Sequence, residues 1–175
     1  MLIIFSVFAA IIPMSIYLVL IWKFDRYDRE PFKLVLINYF WGAFGAIVLA
    51  VIGSFILTAI ASFFIKDDIQ LSRFGAIVVA PIIEEITKGL FLLITLSSKK
   101  FDNITDGIVY GGAIGLGFGM TENFLYFVSY GESIPNWIAL VIVRSLFSGV
   151  MHCVSTATLG SFLGLAKFKS MGKKI

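Results

Sequence analysis

The chain of 175 residues is 59% hydrophobic and 14% charged, with a net charge of +3 and a mean hydropathy of +0.97. A soluble domain carries roughly a quarter charged residues, so this chain lacks the polar surface to coat a water-soluble core. Apolar runs of about 20 residues recur, each long enough to cross a hydrocarbon layer about 30 Å thick. These features define a multi-pass, all-α integral membrane protein. The small positive charge is a topology signal and implies no nucleic-acid partner.

Five spans are predicted in chain order, at about residues 2–22, 34–65, 74–98, 104–130 and 137–166, joined by short loops, so that residues 1–175 form one membrane domain. No basic residue precedes the first apolar run, which predicts a retained span rather than a cleaved signal peptide. The second segment would extend about 48 Å as one helix and is expected to tilt, protrude or break near Gly53. Splitting it would leave two pieces below the usual spanning length.

The basic residues give the orientation. Lys23, Arg26, Arg29, Lys33, Lys99, Lys100, Lys167, Lys169, Lys173 and Lys174 fall on one side, against Lys66 and Arg73 on the other. The positive-inside rule places the first set in the cytoplasm, hence the N-terminus outside and the C-terminus inside. The basic tail is also suited to weak contact with anionic lipid.

Segment three contains A-P-I-I-E-E-I-T-K-G-L-F at residues 80–91. Glu84, Glu85 and Lys88 lie near its middle, where a charge costs on the order of 3 kcal/mol and normally faces a cavity or a partner. Helical spacing lets Lys88 pair with either glutamate. The second carboxylate, desolvated beside a like charge, is then placed to hold or accept a proton. A buried ion pair that fixes helix packing is the alternative, but it leaves that second carboxylate without a purpose.

In segment four, Gly107, Gly111, Gly115 and Gly119 recur every fourth residue, a row that admits close helix approach. Asn123 continues the row and Glu122 lies beside it, inside the span. Asp102 and Asp106 stand at the start of this helix, where capping is an equally good explanation. In segment five, Arg144, Ser148, His152, Thr156, Gly160 and Gly164 share one four-residue row. His152 is the only histidine and lies at a depth comparable to Glu84 and Glu85. A polar cavity among segments three, four and five is the economical reading. Cys153, the only cysteine, permits no disulfide or thiolate site and reads as a small apolar filler.

These residues carry a resemblance. The chain is similar over nearly its full length to the PrsW family of intramembrane proteases, and more distantly to the CAAX-processing membrane proteases. The matching motifs are D-R-Y-D-R-E-P at 25–31; Glu84, Glu85 and Lys88 as E-E-x-x-K; the glycine-rich run from Phe101 to Phe118 followed by Glu122 and Asn123; and His152, Thr156 and Gly160 as H-x-x-x-T-x-x-x-G. The chain is short for that family, so any additional family helices are expected to be absent.

The resemblance implies hydrolysis of a peptide bond in a single-span membrane protein, such as an anti-sigma factor, in a prokaryotic cytoplasmic membrane. Hydrolysis needs an activated water, a proton for the leaving amine and stabilisation of the oxyanion. Glu84 or Glu85 would activate the water, with Glu84 slightly preferred. His152 would donate a proton or stabilise the oxyanion, helped by Asn123, and Glu122 would orient His152 or the water. Lys88, Asp102, Asp106, Arg144 and Thr156 would support the site. No cofactor is favoured. Zinc on Glu85, Glu122 and His152 is the alternative, as three ligands leave an open position, but H-E-x-x-H is absent. A proton-coupled transporter or channel using the carboxylates as a relay is the competing class. Against it, the sequence shows no internal repeat of the kind many transporters have.

Overall fold

The computed structural model describes residues 2–25 and 28–170, the side chain of Ser170 excepted. Arg26 and Tyr27 of the D-R-Y-D-R-E-P motif, and the tail lysines Lys173 and Lys174, lie outside the described residues. Helix accounts for nearly all of the described chain, arranged as five rods in series. They are α1 (Leu2–Phe24), α2 (Phe32–Ala61), α3 (68–96), α4 (Ile104–Tyr130) and α5 (134–170).

Alternate rod ends meet, as expected of an antiparallel bundle. At one end Trp22 Nε1 donates to the Glu30 carbonyl (2.8 Å), and Lys167 Nζ donates to the carbonyls of Leu96 (2.8 Å) and Phe101 (2.7 Å). At the other end Trp137 Nε1 donates to Ser6 Oγ at 2.8 Å. Three rods, α1, α2 and α5, are by length and composition alone able to cross a membrane. The other two carry most of the buried ionisable and glycine-rich sequence, which lowers their hydropathy.

The packing is inverted relative to a soluble protein. Phe55, Phe64 and Ile77 are 76%, 84% and 72% exposed, while Lys88, Asp106 and Asn123 are fully buried. Lipid tails solvate the former as well as any core would, and the latter can only be satisfied inside the bundle.

Helix ends follow local chemistry. Asp67 caps α3 by accepting from the Gln70 amide at 2.8 Å, so the helix begins six residues before the predicted Phe74. Asn103 and Asp106 form a reciprocal capping box at the start of α4. Ser133 caps α5, with Pro135 in its first turn, where a missing N–H costs nothing. The second rod does not break near Gly53, which is helical and faces Ile83. The irregularity lies earlier, in a π-helical stretch at Trp41–Ala46. Two further π stretches occur, at Gly75–Val79 in α3 and Arg144–Ser148 in α5. The one in α3 runs directly into Pro81, whose absent N–H cannot pair with the carbonyl four residues back.

The fourth rod is the hub. Its glycine row lies against the backbone of α5: a Cβ on Gly107 would strike the Gly160 carbonyl, on Gly111 that of Thr156, and on Gly115 that of His152. Gly117, on another face, abuts the Tyr39 carbonyl of α2. No side chain larger than hydrogen fits at these points, so the row sets the distance between α4 and α5. That seam brings His152 within reach of α4's polar residues.

Candidate active site

Helical spacing puts Glu84, Glu85 and Lys88 together on α3, as four-residue and three-residue pairs. Lys88 Nζ donates to Glu85 Oε1 at 2.9 Å and stands 3.6 Å from Glu84 Oε2. It also lies 3.1 Å from Nδ1 of His152 on α5 and 4.0 Å from the centre of the Phe118 ring on α4. The lysine is therefore enclosed by two carboxylates, an imidazole and an aromatic face, and no part of it is exposed.

From His152 the network continues onto α4. Nε2 lies 2.8 Å from Glu122 Oε2, and the same oxygen accepts from Arg144 at 2.6 Å. Arg144 Nε also donates to Asn123 Oδ1 at 3.0 Å, and its guanidinium stacks 3.6 Å from the centre of the Tyr126 ring. Three carboxylates, two fixed cations and one imidazole thus form a continuous chain across three rods. A charge left alone at such a depth would cost several kcal/mol, whereas here every one has a partner.

These groups border a cavity of about 550 Å³ lined by Glu84, Glu85, Glu122, Arg144 and His152, together with Ser148 and Ser155. Both α3 and α5 border it with their π stretches, which contribute Ala76, Arg144 and Ser148, and with the regular helix that follows, which carries Glu84, Glu85 and His152. π-bulges of this kind recur at functional sites because they re-aim side chains. Glu85 is the more open carboxylate, its side chain 37% exposed against 21% for Glu84.

Other predicted residues fall elsewhere. Asn123 does not line the cavity: it is wholly buried behind Arg144, with its amide nitrogen unpartnered. Thr156 is also buried and donates to the His152 carbonyl one turn back at 3.1 Å, so it steadies the helix under the imidazole. Asp102 and Asp106 are absent from the site. Sixteen residues, or about 24 Å of helix, separate Asp106 from Glu122. Asp106 Oδ2 accepts the amides of Asp102 (2.6 Å) and Asn103 (2.9 Å), a capping role. Its carboxyl also neighbours Glu30, which accepts a hydrogen bond from Tyr110. Asp106 thus supports a second buried acidic group away from the cavity, whose other member, Glu30, was not a predicted site residue although it belongs to the Glu-Pro motif.

The donor set does not fit a metal as arranged. Among the described residues no three His, Cys, Asp or Glu side chains are grouped to hold one. Both nitrogens of the single histidine are engaged, Nδ1 by the Lys88 ammonium and Nε2 by Glu122. The position between Glu85 and His152 already holds a positive charge, that of Lys88 itself.

A multi-pass helical membrane protein with glutamates and a histidine around an internal cavity is the class that fold and site define. The profile of the family described as "PrsW family intramembrane metalloprotease" matches residues 30–175. The chain is 31% identical to "Protease PrsW" of Bacillus subtilis (strain 168) over 148 residues, covering 83% of this chain and 62% of that protein. It is 33% identical to the protein of the same name from Oceanobacillus iheyensis over 146 residues, covering 83% and 62%. With that of Clostridioides difficile (strain 630) it shares 28% over 166 residues, covering 94% and 67%. The chain belongs to the PrsW family. It spans roughly three-fifths to two-thirds of the length of these curated relatives. No solved structure matches it.

Proposed function

We propose that the cavity hydrolyses a peptide bond of a membrane-anchored protein, with Glu84 as the group that activates water. The observation that carries this reading is that Glu84, Glu85, Glu122 and His152, from three separate rods, border one cavity in a bundle otherwise solvated by lipid. The proteolytic names of the relatives support it. Glu84 is preferred over Glu85 because Lys88 bonds directly to Glu85 and stands farther from Glu84. The carboxylate less neutralised by the lysine is the better proton acceptor.

In this scheme Glu84 takes a proton from water as the water oxygen attacks the scissile carbonyl carbon. The oxyanion is stabilised by hydrogen-bond donors and by the fixed positive charge of Arg144. Glu84 then returns the proton to the amide nitrogen as the C–N bond breaks, leaving a carboxylic acid and a free amine. No step passes through a metal. The substrate class is a single-span protein, such as an anti-sigma factor. The N-terminus lies outside and the loop end carrying Lys23, Arg29 and Lys33 lies in the cytoplasm. Wild-type protein and Glu84→Gln, each reconstituted with single-span candidate substrates, test the reading: cleavage should appear with the first alone.

A further inference from the structure

We propose that Lys88 is a positioning residue that fixes the tautomer of His152, leaving its proton on Nε2 and making it a hydrogen-bond donor to Glu122 rather than a proton acceptor. The catalytic consequence rests on the hydrolytic reading above, but the tautomer itself stands on geometry.

A lysine ammonium has three donors and no acceptor. Those of Lys88 have three partners within reach, Glu85 Oε1 at 2.9 Å, Glu84 Oε2 at 3.6 Å and His152 Nδ1 at 3.1 Å. The ring of Phe118 covers Nζ from a fourth direction, and the lysine has no exposed surface. Nδ1 must therefore present its lone pair. A neutral imidazole carries one N–H, which falls on Nε2, 2.8 Å from Glu122 Oε2. The reverse tautomer would set N–H against N–H at Lys88 and a lone pair against a carboxylate at Glu122. A doubly protonated ring would keep the first of these clashes.

With its Nδ1 lone pair engaged by Lys88, His152 presents an N–H and not an acceptor toward Glu122. Proton acceptance passes to Glu84, and His152 organises Glu122 and Arg144 at the cavity wall. Lys88 lies behind this wall and acts through its neighbours. A histidine's tautomer is usually set by a carbonyl or carboxylate that accepts from one ring N–H; here an ammonium that donates to Nδ1 sets it from the opposite side.

Because His152 is the only histidine, nitrogen-15 labelling of histidine in the untagged full chain, reconstituted in lipid, gives one pair of ring signals. Near neutral pH the wild type should show a protonated Nε2 and an unprotonated Nδ1 that accepts a hydrogen bond. Lys88→Arg should keep this pattern. Lys88→Met should lose the Nδ1 hydrogen-bond shift and mix the tautomers, with kcat falling roughly 100-fold and KM little changed. A wild-type ring protonated on Nδ1 or on both nitrogens overturns the proposal, as does a Lys88→Met spectrum identical to wild type. If Lys88→Met does not fold, the wild-type and Lys88→Arg spectra still decide. Wild-type protein that shows the expected tautomer yet cleaves nothing would uphold this assignment and end the hydrolytic reading alone.

Discussion

Lys88 and His152, 64 residues apart in the chain, meet at 3.1 Å inside the bundle. This contact joins the Glu84–Glu85 side of the cavity to the Glu122–Arg144 side. Two ion-paired clusters on facing walls thereby become one network. Each cluster alone would be a packing device; joined around a cavity, they form a site in which a carboxylate and a hydrogen-bond donor face the same space.

The two glutamates should not be equivalent. Glu84→Gln is expected to lower kcat by 10²-fold or more, the range for loss of a general base, with little change in KM. Glu85→Gln should also lose activity, but less, because it frees Lys88 to pair fully with Glu84. Single-turnover cleavage by the two variants measures the difference. Circular dichroism and thermal melting should find both folded as the wild type.

The α4–α5 seam has a separate test. Gly115→Ala places a methyl group on the backbone of His152 and Cys153, which cannot yield as a side chain would. A loss of about 1–3 kcal/mol is expected, typical of overpacking. Gly53→Ala meets only the side chain of Ile83 and should cost less. Unfolding midpoints in detergent give the comparison, and equal losses would remove the seam's special role.

Stability should also depend on pH through the loop before α2. Burial, and next the neighbouring Asp106 carboxyl, push the Glu30 carboxyl up to about 8 from an ordinary 4.5. Burial shifts Asp25 in the same direction. The folded chain therefore holds protons that the unfolded chain has released between these two values. By linkage, this contribution to stability is complete below pH 4.5 and is lost as pH rises through about 8. Melting temperature should fall across that window. Glu30→Gln, whose amide can donate to Asp106 and whose carbonyl can accept from Tyr110, should flatten most of the slope.

The proposed orientation predicts that cysteines introduced after Lys33 and after Ser170, in a Cys153→Ala background, both label from the cytoplasmic side. Labelling from opposite sides would mean that α2 does not cross as one helix.

Much of this site was legible in the sequence because helical periodicity is strict. The spacing of Glu84, Glu85 and Lys88 put them on one face, and the four-residue rows aligned the glycines of α4 with Asn123, beside Glu122, and those of α5 with His152 and Arg144. Contacts between rods were less legible. Nothing in the E-E-x-x-K spacing says that the lysine reaches a second helix, since that depends on how near the glycine row lets α5 approach. The ion pair of Arg144 with Glu122 has the same origin. The π stretches left little trace, because they answer to packing; only Pro81 gave a local cue. Asp102 and Asp106 shared a motif with Glu122, but helical rise carries them to the far end of α4, where they serve its first turn.

The most direct test of the central claim is the rate at which reconstituted wild-type protein cleaves a single-span substrate after exhaustive chelation, measured beside Glu84→Gln. The account predicts an undiminished wild-type rate and a loss of at least roughly 100-fold in the variant. Wild-type cleavage that stops on chelation and returns with zinc, or a Glu84→Gln protein that cleaves at the wild-type rate, would contradict it.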